Sequence, residues 1–249
     1  MQAIVTAKDL PETVNKPGER QMTPGALGSD LKYLRDRIMA GDKVIFKGHP
    51  VAAVAATSVH IAEEAIDLID VDYEVLPASS TVHEAMREGA SIILEDLELT
   101  EFGENTGKAG NVAEHTRDKK GDIDKGFEEA DVVVEREFNT STVHQGYIEP
   151  HNCTVQWNAN GRILVWNSTQ GPFNVRDDTA ATLGLPSTRV RLTPMEIGGG
   201  FGGKFEPYAE PVAALLSKRS GHPVKIVMTR SEEFESTGPT PGAYLKVKI

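Results

Sequence analysis

The spacing of apolar residues changes repeatedly along this chain, and each change of period marks a new element. Asp30 to Met39 reads as a helix. The short apolar runs Lys43 to Phe46 and Val51 to Ala56, parted by Lys47, Gly48, His49 and Pro50, read as strand, turn, strand, with His49 a turn residue. From Ser58 the period lengthens: Ile61, Ala62, Ala65, Ile66 and Ile69 share one helical face, opposite Glu63, Glu64 and Asp67. Val71, Tyr73 and Val75 then alternate as a strand that Leu76 and Pro77 end.

From Ser79 to Ala130 periodic apolar residues thin out and charge accumulates, which predicts a surface connection with short elements of its own, such as a helix near Ile123 to Glu129. A strand is expected from Asp131 to Phe138. Cys153, Val155 and Trp157 alternate toward Asn158, Ala159, Asn160 and Gly161, and Ile163, Val165 and Trp166 return, a hairpin signal. Phe173 to Leu183 follows as a helix, with Pro172 at its start, Gly184 at its end and Pro186 beyond. Val190 and Leu192 make a further strand, Pro207 to Arg219 a helix that stops at Gly221, and Val224 to Met228 a last strand. The pattern is that of an α+β chain.

Composition narrows the classes. The formal net charge of -11 argues against nucleic acid or an anionic membrane surface as partner. Cys153 is the only cysteine, so an intrachain disulfide and a multi-cysteine zinc or iron–sulfur site are excluded, and a reducing, cytoplasmic compartment is the simpler expectation. No apolar run approaches bilayer-spanning length.

Chemistry concentrates at Gly198, Gly199, Gly200, Phe201, Gly202, Gly203 and Lys204, between a strand and a helix. Glycines in a row let backbone N–H groups approach an anion or a cofactor's oxygen atoms, and the phenylalanine among them is expected to pack and hold the amides in a fixed direction. Gly198, Gly203 and Lys204 also fit most of a phosphate-loop spacing, yet Phe205 stands where a Mg²⁺-binding hydroxyl is needed. A tight connection without ligand is the plain alternative. Of the neighbouring polar residues, Glu149 reads as a turn or salt-bridge carboxylate, Gln170 as a possible cap of the helix behind it, and His144, His151 and Cys153 lack a metal-ligand spacing.

In order along the chain, these segments resemble the molybdenum-cofactor-binding subunit of the xanthine dehydrogenase and aldehyde oxidase family, which includes the large subunits of aerobic carbon monoxide dehydrogenases. Ile4 to Pro11, Gly48 to Pro77 and Gly121 to Phe138 are similar to that family's segments, and Tyr147 to Pro150, Ser168 to Gln170 and Gly198 to Lys204 match its Y-x-E-P, S-T-Q and G-G-G-F-G-G-K motifs. The resemblance implies a partial a/b hammerhead domain over residues 1–80, a charged inter-domain linker over 81–130, and the N-terminal part of a molybdopterin-binding mixed α/β domain over 131–249.

It further implies that Gln170 brings its amide to an oxo ligand of molybdenum, and that Gly199, Gly200, Phe201, Gly202 and Gly203 form the cofactor cradle, the amides of Phe201 and Gly202 facing the oxo group and the pterin dithiolene. The metal is held by the pterin's sulfurs, so no protein residue is implied as a metal ligand. The family hydroxylates an electron-poor carbon with water as oxygen donor and passes electrons to iron–sulfur clusters and usually a flavin, on partner subunits or domains. Its catalytic glutamate has no counterpart in this segment. The expectation is therefore a partial chain or split subunit, inactive alone, whose partners are the remainder of the molybdenum subunit and the iron–sulfur and flavin subunits. Phe205 takes the place of the substrate-binding glutamate of the xanthine dehydrogenase branch, with Glu206 one place later; both are substrate-pocket candidates. Purines are disfavoured, and a wall at Phe205 suits an aldehyde, an aromatic heterocycle or another small molecule. The rival expectation is a non-catalytic scaffold or interaction protein retaining the fold.

Overall fold

The computed structural model describes residues 2–13, 21–25 and 30–249. Its elements run β1 (Ala3–Thr6), α1 (Leu31–Ile38), β2 (Ala52–Ala55), α2 (Val59–Ile66), α3 (Val82–Ala85), β3 (Glu98–Glu101), β4 (Glu104–Ala109), β5 (Glu114–His115) and α4 (Ile123–Glu128). They continue with β6 (Glu135–Asn139), β7 (Asn152–Trp157), β8 (Ile163–Asn167), α5 (Pro172–Thr182), β9 (Val190–Pro194), α6 (Glu210–Ser220), β10 (Val224–Val227), α7 (Arg230–Ser236) and β11 (Tyr244–Lys248). Helices and mixed sheets together make the chain α+β.

The chain divides into two compact units, Met1–Asp72 with His144–Gly238, and Tyr73–Val143 with Pro239–Ile249. In the first, a four-stranded sheet has the order β10, β7, β8, β9. The β7–β8 hairpin pairs Val155 with Val165, as its alternation predicts. β9 lies parallel to β8, and a parallel pair needs a crossover, which α5 supplies. The inward residues Cys153, Val155, Ile163, Val165 and Val190 are buried against Val212, Ala213, Ala214 and Leu216 of α6. Ala213 and Ala214 are small enough to let this helix lie close to the sheet, and Gly221, at φ +72°, ends it. Cys153 is fully buried and its thiol is pushed well up by burial and by the nearby Glu210 carboxylate.

The same core includes Val5 of β1 and Leu34 and Ile38 of α1. β2 finds its partner in β1, antiparallel with Ala3 opposite Ala55. Two expected strands do not form. Lys43–Phe46 has no ladder; it is tied instead by His49, whose Nε2 lies 2.6 Å from the Asp36 carbonyl and whose Nδ1 accepts from the Ile45 N–H at 3.3 Å. His49 is thus a buried structural group whose ring stacks on Phe46. Val71–Val75 alternates in sequence but pairs with no strand among the described residues, and alternation without a partner makes no sheet.

In the second unit β3 pairs antiparallel with β4 and parallel with β5, so the charged stretch carries a small sheet of its own. The β3–β4 turn passes through Phe102 and Gly103 at φ +50° and +88°. β6 and β11 form an antiparallel ribbon in which Lys246 reaches Glu135 at 3.1 Å. The expected strand over 131–138 begins only at Glu135; Val134 just meets Ile249 by paired backbone hydrogen bonds.

Candidate functional site

The glycine run closes a tight turn between β9 and α6. The Gly203 N–H donates to the Gly200 carbonyl at 2.7 Å, and the two residues between them, Phe201 and Gly202, have φ of +47° and +91°. Positive φ at both central positions is natural for glycine and uncommon for a bulky side chain. Phe201, expected to pack, is 74 % exposed. Its ring folds back over Gly199, where an added Cβ would lie 3.2 Å from Phe201 Cε2.

Gln170 supplies the rigidity instead. Its Oε1 accepts from the N–H of Gly202 at 3.0 Å and of Lys204 at 3.2 Å, and its own N–H donates to the Lys204 carbonyl at 2.9 Å. Two donors at one end of the amide require the oxygen there. Nε2 has no acceptor among the described residues and is left to donate outward. The side chain does not cap α5, whose N-cap is Gly171 with no side-chain cap; the Gly171 N–H itself donates to Thr169 Oγ1 at 3.0 Å.

Glu149 and Lys204 fasten the two flanks. The Lys204 ammonium is buried and donates to Glu149 Oε2 at 2.9 Å, to the Glu149 carbonyl at 2.8 Å and toward Ser168 Oγ at 3.3 Å. Glu149 Oε2 also accepts from the Gly198 N–H at 2.7 Å. Burial works against ionisation of Glu149, but the Lys204 and Gly198 donors outweigh it and hold the carboxyl below its usual range. A lysine so committed is withdrawn from any phosphate, which removes the phosphate-loop reading of this spacing.

The turn's N–H groups can now be sorted. Those of Gly198, Gly202, Gly203 and Lys204 are spent inside the protein. Those of Gly199, Gly200 and Phe201 have no acceptor among the described residues. Of the Phe201 and Gly202 pair, the Gly202 N–H serves Gln170 in this structure. Successive N–H groups without an internal acceptor are the type of donor set that binds anionic oxygens. A Cβ on Gly200 would fall 2.5 Å from Gln170 Oε1, so a side chain there displaces the glutamine amide from the turn.

The two substrate-pocket candidates diverge. Phe205 lies against the segment carrying Gln170, with Cδ1 2.9 Å from where a Cβ on Gly171 would be. Glu206 is drawn onto α1, accepting from Arg37 Nη1 at 2.5 Å.

Beneath the turn lies a group that local sequence reading passes over, the fully buried carboxylate of Glu233 on α7. Its Oε1 accepts from the Tyr147 hydroxyl, from His151 Nδ1 at 2.8 Å and from the Thr237 hydroxyl at 2.7 Å, and its Oε2 from the His151 N–H at 2.5 Å. Burial alone would raise its pKa, but the hydrogen bond and charge of His151 and the Tyr147 hydroxyl bring it from 4.5 down to about 2. The folded-state value lies below the unfolded one, so the stability this group contributes is full above about pH 4.5 and is lost as pH falls toward 2. Acid titration followed by tryptophan fluorescence is expected to show unfolding in that window. A Glu233→Gln chain with an unchanged acid transition would refute the assignment.

Known proteins share this arrangement of segments. Residues 105–249 match the model of the molybdopterin cofactor-binding domain, and residues 1–77 that of the aldehyde oxidase and xanthine dehydrogenase a/b hammerhead domain. A probable hypoxanthine oxidase, XdhD, of Escherichia coli K12 is 33% identical over 251 residues, covering 91% of this chain and 26% of its own. The carbon monoxide dehydrogenase large chain of Afipia carboxidovorans is 31% identical over 244 residues, 94% of this chain and 28% of its own. Among solved structures, quinoline 2-oxidoreductase from Pseudomonas putida 86 superposes with a TM-score of 0.71 at 26% identity, over 93% of this chain and 28% of that one. The chain thus spans little more than a quarter of the length of these relatives. With a family model covering more than half of its residues and the hammerhead model most of the rest, the chain belongs to the molybdopterin cofactor-binding family of xanthine dehydrogenase and carbon monoxide dehydrogenase-type molybdenum enzymes.

Proposed function

We propose that this chain is part of the molybdenum-cofactor-binding subunit of an oxidoreductase that hydroxylates an aldehyde, a heterocycle or a similar small molecule with water as oxygen donor. The observation that supports it most is the convergence of Gln170 and the glycine turn, joined at 3.0 Å and 3.2 Å, next to three N–H groups with no acceptor among the described residues. When bound, the cofactor supplies a metal centre that makes water a competent oxygen donor near neutral pH. Gln170 Nε2 and the N–H groups of Gly199, Gly200 and Phe201 hold and orient it as neutral donors, which bind oxygen ligands without replacing them. Gly202 and Gly203 keep the turn closed.

Phe205, next to Gln170, forms an apolar wall. Because Glu206 is occupied by Arg37, no carboxylate is offered there to a purine's polar edge, which favours an aldehyde or a weakly polar heterocycle. The remainder of the subunit supplies the proton-accepting group that this segment lacks, so the chain alone is inactive, and iron–sulfur and flavin subunits accept the electrons. We retain the division into hammerhead part, linker and cofactor-domain part at about residues 80 and 130. Among the described residues no helix is long and apolar enough to cross a membrane, and the single reduced cysteine fits a cytoplasmic enzyme.

The test is molybdenum and pterin analysis of the chain purified together with the product of the adjacent downstream reading frame. Stoichiometric molybdenum and pterin, lost in Gln170→Ala, support the reading. A folded complex devoid of both returns the chain to the scaffold class.

A further inference from the structure

We propose that Glu233 is a positioning residue for the glycine turn and acts on it through Tyr147. The proposal rests on the turn being the cofactor cradle of the preceding reading, but its mechanics are visible in this chain alone. Every neighbour of the Glu233 carboxylate donates to it. His144 closes the cluster from the other side, with Nε2 3.0 Å from Thr237 Oγ1 and 3.8 Å from Glu233 Oε1. Burying a charged carboxylate is costly unless it is fully hydrogen-bonded, and a fully bonded one is locked in a single orientation.

Tyr147 carries that fixed point to the turn. It is 1 % exposed, its hydroxyl is held by Glu233, and its carbonyl accepts from Arg230 of the same helix at 2.9 Å. Its body fills the space under both ends of the glycine run. A Cβ on Gly199 would meet Tyr147 Cβ at 3.0 Å, and a Cβ on Gly203 would meet Tyr147 Cε1 at 2.9 Å. The Lys204 ammonium lies 4.8 Å from the centre of the same ring. The turn therefore rests on a ring whose far end is bolted to α7. A core that needed only volume at position 147 would be served by phenylalanine, with no carboxylate beneath it.

Amide hydrogen exchange in the full chain reads the turn directly at Gly202, Gly203 and Lys204, whose N–H groups are hydrogen-bonded. Tyr147→Phe keeps the ring and deletes the bolt. It is expected to speed exchange at these three amides about tenfold while the amides of β7 and β8 keep their rates. Glu233→Gln sets an amide where only donors face it and is expected to do the same, adding nothing further in the Tyr147→Phe background, because both changes break one linkage. Unchanged turn exchange in Tyr147→Phe, or strictly additive effects in the double variant, overturns the proposal. If Glu233→Gln also opens β7 and β8, Tyr147→Phe decides alone, since it leaves Glu233 its His151 and Thr237 donors. Exchange is read without cofactor, so a complex lacking molybdenum refutes the functional reading and leaves this result standing.

Discussion

Replacing Glu149 by alanine is expected to lower folding stability by about 3–5 kcal/mol, more than replacing its partner Lys204 by methionine. The two members of the pair are unequally placed. The Lys204 side chain has no exposure and Glu149 keeps 28%. Without the carboxylate, a buried ammonium remains with only the backbone carbonyl of residue 149 and Ser168 as acceptors. Without the lysine, Glu149 keeps the Gly198 N–H and Asn152 Nδ2 and can take up water, so Lys204→Met is expected to cost about 1–3 kcal/mol. Denaturant midpoints at neutral pH measure both, and a larger loss for Lys204→Met than for Glu149→Ala would show that the pair is not anchored as described.

Alanine substitutions at the two ends of the turn should separate folding from cofactor retention. Gly203→Ala places a Cβ 2.9 Å from the ring of Tyr147 and 3.2 Å from the Gly200 carbonyl, neither of which can give way, because the ring is buried and held at its hydroxyl. An overpacking cost of about 1–3 kcal/mol is expected, with loss of cofactor. Gly200→Ala meets instead the flexible end of Gln170, which swings aside and releases the N–H groups of Gly202 and Lys204. Stability then changes little, while cofactor retention by the assembled subunit falls by about 10–100-fold. Thermal melts beside molybdenum per chain decide the matter; equal retention in Gly200→Ala and wild type would remove Gln170 from the site.

How much of this was readable in advance follows the physics of each element. The β7–β8 hairpin, α5, β9 and β10 declare themselves through local alternation, Pro172, Gly184 and the turn at Gly161, all signals confined to a few residues. The strand at β2 was legible, its partner was not, because β1 lies some fifty residues away and pairing at that distance leaves no local trace. The same limit explains the missing strand at Val71–Val75. At the site, Gln170 and the glycines are visible as motif residues. The Lys204–Glu149 pair was not, since nothing in the spacing shows an ammonium turning inward. α7 does carry a signal: Thr229 and Glu232 form a capping box, with Glu232 Oε2 accepting from the Thr229 N–H at 2.7 Å. That would have found the helix, though not the buried role of the next residue.

The first unit is assembled from two stretches of chain, residues 1–72 and 144–238, with the other unit's sequence inserted between them. A ribosome therefore releases β1 and β2 long before α6, the helix packed on them, and α1 long before α5, on which it rests. At usual rates of elongation the interval is on the order of ten seconds. Throughout it Val5, Leu34 and Ile38 lack the later residues that bury them in the finished fold, so an apolar face stays uncovered while the rest of the polypeptide is made.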